Sequence, residues 1–318
     1  MATCFYQLLS SIILMKLKLI LPGALLILIA GAFFYPVTKQ TGVIINASMF
    51  NVYNQLSKSE NWVKWDHELR TGNVLTEQLK DKKGFIISTP SVTTRVEFPD
   101  AFTFRVTKEK ERYDIVLIPE KYDKTTTVLA SFKSNLLYQL LPGMDKWQKK
   151  TPVADLKDYM ESPLTYYGVD LKKTTVKDMD MMVYSTEINP ANQFTEMARW
   201  AKKIRDLIPA AELADSTKIY LQLTPVNNEL TMLIGVPVKK QLPEIGGITY
   251  RPVPGGKILT VNYEGKYAER KKIYTSVGTY LQDHSMKNAI QPVETFTNNG
   301  LPVSDTSQVK MQIIFHVF

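Results

Sequence analysis

The sequence predicts an α+β protein: one N-terminal transmembrane helix, then two domains, the second a pseudo-twofold pair of strand-helix-strand-strand repeats. Three observations carry this. Positions 19–38 hold 20 residues without a charge, short β-rich runs follow one another between positions 84 and 132, and one order of elements occurs twice after position 171. The chain's 318 residues exceed what a single core usually serves. Apolar residues at 44% and charged residues at 22% fit a folded protein and exclude both wholesale disorder and a multi-spanning membrane protein.

The first element is the apolar stretch LILPGALLILIAGAFFYPVT, bracketed by Lys16, Lys18 and Lys39. Twenty helical residues rise roughly 30 Å, the thickness of the hydrocarbon core, so the segment is long enough to cross a bilayer once. Pro22 falls near the helix start, where a missing N–H costs least, and Phe33, Phe34 and Tyr35 fall at an interfacial aromatic belt. Two lysines before the span and one after it predict a single-pass protein with its large C-terminal part outside the cytoplasm. A cleaved signal peptide is the rival reading, because Ala30-Gly31-Ala32 offers a small-residue cleavage pattern. Met15-Lys16 also reads as an alternative start, which leaves residues 1–18 as a basic-flanked leader.

The first soluble domain is expected over residues 43–168. A strand at 43–48 leads into a helix carrying Phe50, Val52, Tyr53 and Leu56. Runs at 84–88, 93–98, 102–107, 113–119 and 125–132, separated by short turns, read as consecutive antiparallel strands. A helix over 145–162, with Trp147, Val153, Leu156, Tyr159 and Met160 on one side, closes the domain. This order, together with SENWVKWDHEL at 59–69, resembles the START-like, polyketide-cyclase-like (SRPBCC) superfamily. The resemblance implies a helix-grip fold, a curved sheet around the last helix enclosing a cavity for apolar ligands. Trp62 and Trp65 read as packing residues or as the mouth of such a cavity, and the Asp66-His67 pair, without an identifiable partner, as surface.

The second domain is expected over residues 171–318. Its first copy has a strand at 176–188, then Asn189 as helix cap with Pro190 at the first helical position. The helix places Phe194, Met197, Ala198, Ala201, Ile204 and Ile208 on one face and stops at Pro209. A hairpin follows, 218–224 against 230–238 around Asn227-Asn228. The second copy has a strand at 257–263, a turn at Glu264-Gly265, a helix at 266–283, and strands at 292–297 and 309–317. Two such halves imply pseudo-twofold packing with a groove between them.

VPVKKQLPEI (236–245), PVPGGKILTVNYEGKY (252–267) and MQIIFHV (311–317) resemble the GyrI-like, AraC-type effector-binding family, over about 140 residues. The resemblance implies a groove for small, often cationic or aromatic molecules, commonly with an acidic residue on the final strand. Here the matching position is Gln312, which hydrogen-bonds but cannot neutralise a cation, and the usual proline near the strand end is His316. Cation recognition, and the hydrolysis that depends on such a carboxylate in some relatives, are therefore in doubt.

The candidate ligand-binding residues are Tyr184, Tyr220, Tyr263 and Tyr267, which join apolar area to a hydroxyl, with Glu264 as the acid nearest the motif and Gln312 on the last strand. No catalytic residue is assigned. His67, His284 and His316 lack metal-ligand spacing, Cys4 is the sole cysteine, and P-loop, dinucleotide and nucleophile-elbow motifs are absent, so no metal or cofactor is expected. The formal charge of +8 is dispersed in short clusters such as Lys80, Lys82 and Lys83, which read as solvated faces and not as a nucleic-acid surface.

The sequence thus points to a membrane-anchored protein that binds a small organic or lipid-like molecule. A hydrolase working in the second groove through Glu264 or a tyrosine, and a regulatory module that binds a protein partner, are the alternatives.

Overall fold

A computed structural model describes residues 29–31, 35–70, 73–81, 83–109, 111–120, 124–135, 152–297 and 300–318. The chain is α+β with two antiparallel sheets, one of seven and one of eight strands, and divides into two compact units, Met1–Glu161 and Ser162–Phe318. The expected leader (1–18) and most of the expected membrane span (19–28 and 32–34) lie outside the described residues. No helix among the described residues is long and apolar enough to cross a membrane. The end of the expected span is corrected: residues 36–38 open the first strand instead of closing a helix.

The first unit begins with β1 (Pro36–Ile45), seven residues longer at its N-terminal end than the sequence suggests. Its exposed and half-buried positions alternate down to the fully buried Ile45, and it pairs along its whole length with β7 (Thr125–Asn135). Two helices follow. In α1 (Met49–Ser57) the Ser48 hydroxyl caps the start by accepting from the Asn51 N–H, and α2 (Ser59–Trp65) was not legible as a helix. Strands β2 (Leu75–Gln78), β3 (Gly84–Ser88), β4 (Thr93–Glu97), β5 (Thr103–Lys108) and β6 (Glu111–Glu120) then meander back to β7, so the order across the sheet is β1-β7-β6-β5-β4-β3-β2. The unit ends in α3 (Pro152–Glu161), which buries Val153, Leu156, Tyr159 and Met160; positions 145–151, with Trp147, lie outside the described residues.

The two tryptophans of α2 are packing residues, not a cavity mouth. Trp62 and Trp65 are fully buried with ring centroids 4.5 Å apart, the Trp62 indole N–H donates to the Leu56 carbonyl, and edge-on contacts run on through Phe85, Phe98 and Phe104. Asp66 and His67 have partners that sequence could not show. Asp66 is buried against the Lys108 ammonium at 3.1 Å, and the His67 Nδ1 lies 2.5 Å from the Asp155 carboxylate on α3.

The second unit opens with the short α4 (Pro163–Tyr167), capped by Ser162 and ended by Gly168 in the left-handed region. Its first half contains β8 (Leu171–Val176), β9 (Met179–Ile188), α5 (Gln193–Leu207), β10 (Lys218–Val226) and β11 (Glu229–Pro237). The second half repeats the order with β12 (Thr249–Val253), β13 (Gly256–Lys266), α6 (Lys271–Asp283), β14 (Val293–Thr297) and β15 (Gln308–His316). The sheet order β12-β9-β11-β10-β14-β15-β13-β8 is symmetric about its centre, and each half lends its first strand to the other. Strand β8 pairs with β13 and strand β12 with β9. The connections β8–β9 and β12–β13 therefore cross, and where they do the Gly255 N–H donates to the Asp178 carboxylate at 2.7 Å. A Cβ on Gly255 would lie 2.5 Å from the Val176 carbonyl oxygen, so only glycine fits that crossing.

Local chemistry explains the rest. The Asn189 side chain accepts from the Ala191 N–H and Pro190 follows it, starting a single 3-10 turn that leads into α5. The hairpin β10–β11 closes on Val226 opposite Glu229, with Asn227 in the left-handed region at φ 54°. Helices α5 and α6 cover one face of the sheet. Met197, Trp200, Ala201 and Ile204 from α5 and Val277 and Leu281 from α6 meet Met182, Ile219, Leu221, Met232, Ile234, Leu259, Ile313 and Phe315 from the strands. Ala198, expected on that face, is exposed, and Trp200 takes its place.

Candidate functional site

Side chains alternate across a strand, so the residues between those facing the helices face the other way. On β9 these are Met181 and Val183, on β10 Tyr220 and Gln222, on β11 Leu233, on β14 Val293, and on β15 Ile314 and His316. They line one cavity of about 470 Å³ on the helix-free face of the sheet, together with Ile258 of β13 and the crossing segments around Val176 to Met179 and Arg251 to Pro254. Its volume falls in the range of sites for small organic molecules. Several strands are therefore apolar on both faces: Met181-Met182-Val183 is buried throughout, and Ile313 faces the helices while Ile314 lines the cavity.

A few polar groups interrupt this lining. Burial raises the pKa of the half-buried Tyr220 hydroxyl; Lys218 partly opposes this and Asp215 adds to it. Burial lowers the pKa of His316 below the ordinary histidine value, so its imidazole is neutral at neutral pH. The Gln222 amide donates to the Gln291 carbonyl at 3.0 Å and ties β10 to the segment before β14. Lys177 and Arg251 are exposed at the crossing and also line the cavity. No carboxylate is among the lining residues.

Of the six ligand-binding candidates read from the sequence, Tyr220 lines this cavity. Gln312 faces the same side of the sheet, in a row that runs from Tyr220 through Thr295 to Gln312 and Asn262, and its amide donates to the Asn262 side chain at 3.1 Å. The others are placed elsewhere. Tyr184 lies on the helix side, stacked on Trp200 with ring planes 15° apart. Tyr263 donates its hydroxyl to the Lys266 carbonyl. Glu264 is exposed, 3.6 Å from the Lys310 ammonium. Tyr267 is fully buried and donates to Glu294 at 2.9 Å.

That last contact belongs to a cluster the sequence did not reveal. Glu294, buried on the helix side of β14, accepts from the Tyr267 hydroxyl, from the Tyr274 hydroxyl at 2.7 Å and from the Arg270 Nε at 2.6 Å. The Arg270 guanidinium also covers the Tyr267 ring at 3.4 Å from its centroid. Burial and the neighbouring carboxylate both push the pKa values of the two tyrosines up. Burial alone would lower that of Arg270, but Glu294 holds it above the ordinary arginine value. Each donor here has its acceptor, which is the signature of a structural ion pair. Cavity residues that the sequence did not reveal, such as Leu233 and Ile314, still carry a readable signal: each alternates with the helix-facing residues of its strand.

Among the described residues no three His, Cys, Asp or Glu side chains are grouped as a metal ion would need. No protein-family model matches the chain, and no curated protein matches it. Solved structures resemble part of it. The C-terminal domain of EcmrR is 13% identical, with 47% of this chain and 98% of that one covered and a TM-score of 0.40. A hydrolase from Listeria innocua is 8% identical over 46% and 91% of the two chains, at a TM-score of 0.34. An integron cassette protein from the mobile metagenome of Vibrio cholerae is 14% identical over 46% and 95%, at a TM-score of 0.30.

Proposed function

We propose that the second unit is a GyrI-like module that binds a small, mainly apolar organic molecule in the cavity on the helix-free face of its sheet. The observation that carries this is the lining itself: a space of about 470 Å³ walled by Met181, Val183, Leu233, Val293 and Ile314, with only a few polar groups to orient an occupant. An apolar surface of that extent gains free energy when a ligand removes it from water. The reading needs no catalytic residue. Of the groups on which the hydrolase alternative rests, Glu264 is exposed and outside the lining, and the one tyrosine of the lining, Tyr220, has its pKa raised by burial, which disfavours the phenolate.

We further assign the START-like fold to the first unit, on the order of its strands and its closing helix, and membrane attachment to the uncharged stretch before β1. The start of β1 at Pro36 shortens that stretch by three residues, and the lysines flanking it favour an extracytoplasmic position for both units. Resistance of the full chain to carbonate extraction supports the anchor, and release into the soluble fraction removes it.

The binding proposal is tested with the neutral dye N-phenyl-1-naphthylamine and the full chain in phosphatidylcholine nanodiscs. A saturable fluorescence rise is expected in the wild type and is lost in Ile314→Trp, which fills the cavity. Leu233→Trp fills it from another strand and has the same expected effect. Equal saturable binding in wild type and in both filled variants, with circular dichroism unchanged, contradicts the site.

A further inference from the structure

From the charges around the cavity, we infer that its ligand is an amphiphile with an anionic head, held at the strand crossing by Lys177 and Arg251. This deepens the binding proposal above and rests on it. The resemblance seen in the sequence implied small, often cationic or aromatic ligands, with cation recognition already in doubt at Gln312; the lining charges favour the opposite sign.

Three observations carry the inference. First, the charged side chains of the lining are Lys177 and Arg251 alone, with no aspartate or glutamate among the lining residues. A cation entering this space would meet two positive charges and no compensating carboxylate.

Second, the nearby carboxylates lie outside the lining and turn to other donors. Asp178 accepts the Gly255 N–H at 2.7 Å, and Asp180 accepts the Tyr250 hydroxyl at 2.6 Å. Asp180 also alternates with Met179 and Met181, which puts it on the opposite face of β9. Neither Lys177 nor Arg251 has an ion-pair partner among the described residues, so both are available to a ligand.

Third, the two cations belong to the same end of the cavity. Lys177 lies in the β8–β9 connection and Arg251 on β12 just before the β12–β13 connection. Those are the two connections that cross and are joined by the Gly255–Asp178 hydrogen bond. Register places Arg251 opposite Met181, a cavity residue, and therefore on the cavity side of its strand.

The arrangement is thus an apolar chamber whose solvated end is lined by two cations. An ionised carboxylate loses little hydration there, because both lysine and arginine remain exposed, while its hydrocarbon part is buried. Arg251 offers a planar fork suited to a carboxylate and Lys177 a point charge beside it.

A matched series with one tail and three heads tests this. Decanoate, decan-1-ol and decylamine, each below its aggregation concentration, compete with N-phenyl-1-naphthylamine on the full chain in phosphatidylcholine nanodiscs. Two exposed ion pairs of ordinary strength correspond to roughly a tenfold preference of decanoate over decylamine at low salt. The preference is expected to shrink as ionic strength rises. In the Lys177→Gln/Arg251→Gln double variant decanoate loses its preference over decylamine, each affinity being taken relative to that of decan-1-ol for the same variant. In Lys177→Glu/Arg251→Glu the order inverts. Equal or tighter binding of decylamine by the wild type, or a decanoate preference that survives the double variant, overturns the inference. Absence of any saturable dye signal that Ile314→Trp removes strikes at the binding proposal instead, whatever the head group does.

Discussion

Replacing Glu294 by Gln should be the most costly single isosteric change in the second unit. The carboxylate receives three donors, the Tyr267 and Tyr274 hydroxyls and the Arg270 Nε, and the side chains of Arg270 and Glu294 are only 13% and 6% exposed. An amide keeps one oxygen acceptor but turns its N–H₂ toward a donor and leaves the guanidinium charge without a counter-charge. Removing one partner of a buried ion pair costs about 3–5 kcal/mol. The amide's remaining hydrogen bonds place this variant at the lower end, about 3 kcal/mol. For a unit of this size that is roughly 6–12 °C in Tm. Hydrogen exchange of the β10, β14 and β15 amides reads the second unit separately from the first. Arg270→Met added to Glu294→Gln removes the stranded charge, so the double variant should be more stable than the sum of the single losses by at least about 1 kcal/mol. A Glu294→Gln variant within 1 kcal/mol of wild type, or a cycle without coupling, would refute the view of this cluster as an ion pair that holds α6 to the sheet.

Gly255→Ala puts a methyl group 2.5 Å from the Val176 carbonyl oxygen and 2.8 Å from the Asp178 amide nitrogen, both backbone atoms that cannot swing aside. It should destabilise the unit by about 1–3 kcal/mol in denaturant titration and weaken dye binding, because the crossing forms one end of the cavity. Stability should also fall with pH in the histidine range. Burial lowers the pKa of both His284 and His316 in the native state; at His284 Asp283 partly opposes this and Lys173 adds to it. The unfolded chain then binds protons first, so stability is full above the unfolded pKa of about 6.5 and is lost as pH falls through it, levelling off below the native values. Urea midpoints at pH 8, 6.5 and 5.5 should show the drop, and His284→Asn/His316→Gln should flatten it; a variant with the wild-type slope would locate the effect elsewhere.

What was legible in the sequence is what local chemistry decides. Asn189-Pro190 announces the helix start because cap and proline act within a few residues. Asn227-Asn228 announces the hairpin because its residues tolerate the left-handed turn. The edge strands β8 and β12 were not legible as partners of the opposite half. Their side chains are mostly exposed, and they are strands because of what they pair with. The site failed for a similar reason. Tyr184 and Tyr220 look alike in sequence, yet Tyr184 has the parity of Met182 and points to α5, whereas Tyr220 alternates with Ile219 and Leu221 and points to the cavity. The charges that select a ligand come from Lys177 and Arg251, on strands or connections from different halves, and only the crossing brings them to one end. Asp66 and His67 likewise found partners 42 and 88 residues away.

A crystal structure of the chain with 10-bromodecanoate asks directly whether the helix-free face of the second sheet is the ligand site. The bromine's anomalous signal is expected among Met181, Leu233 and Ile314, with the carboxylate at the end marked by Lys177 and Arg251. A bromine located in the first unit, or on the helix side beside Tyr184 and Tyr267, would contradict it.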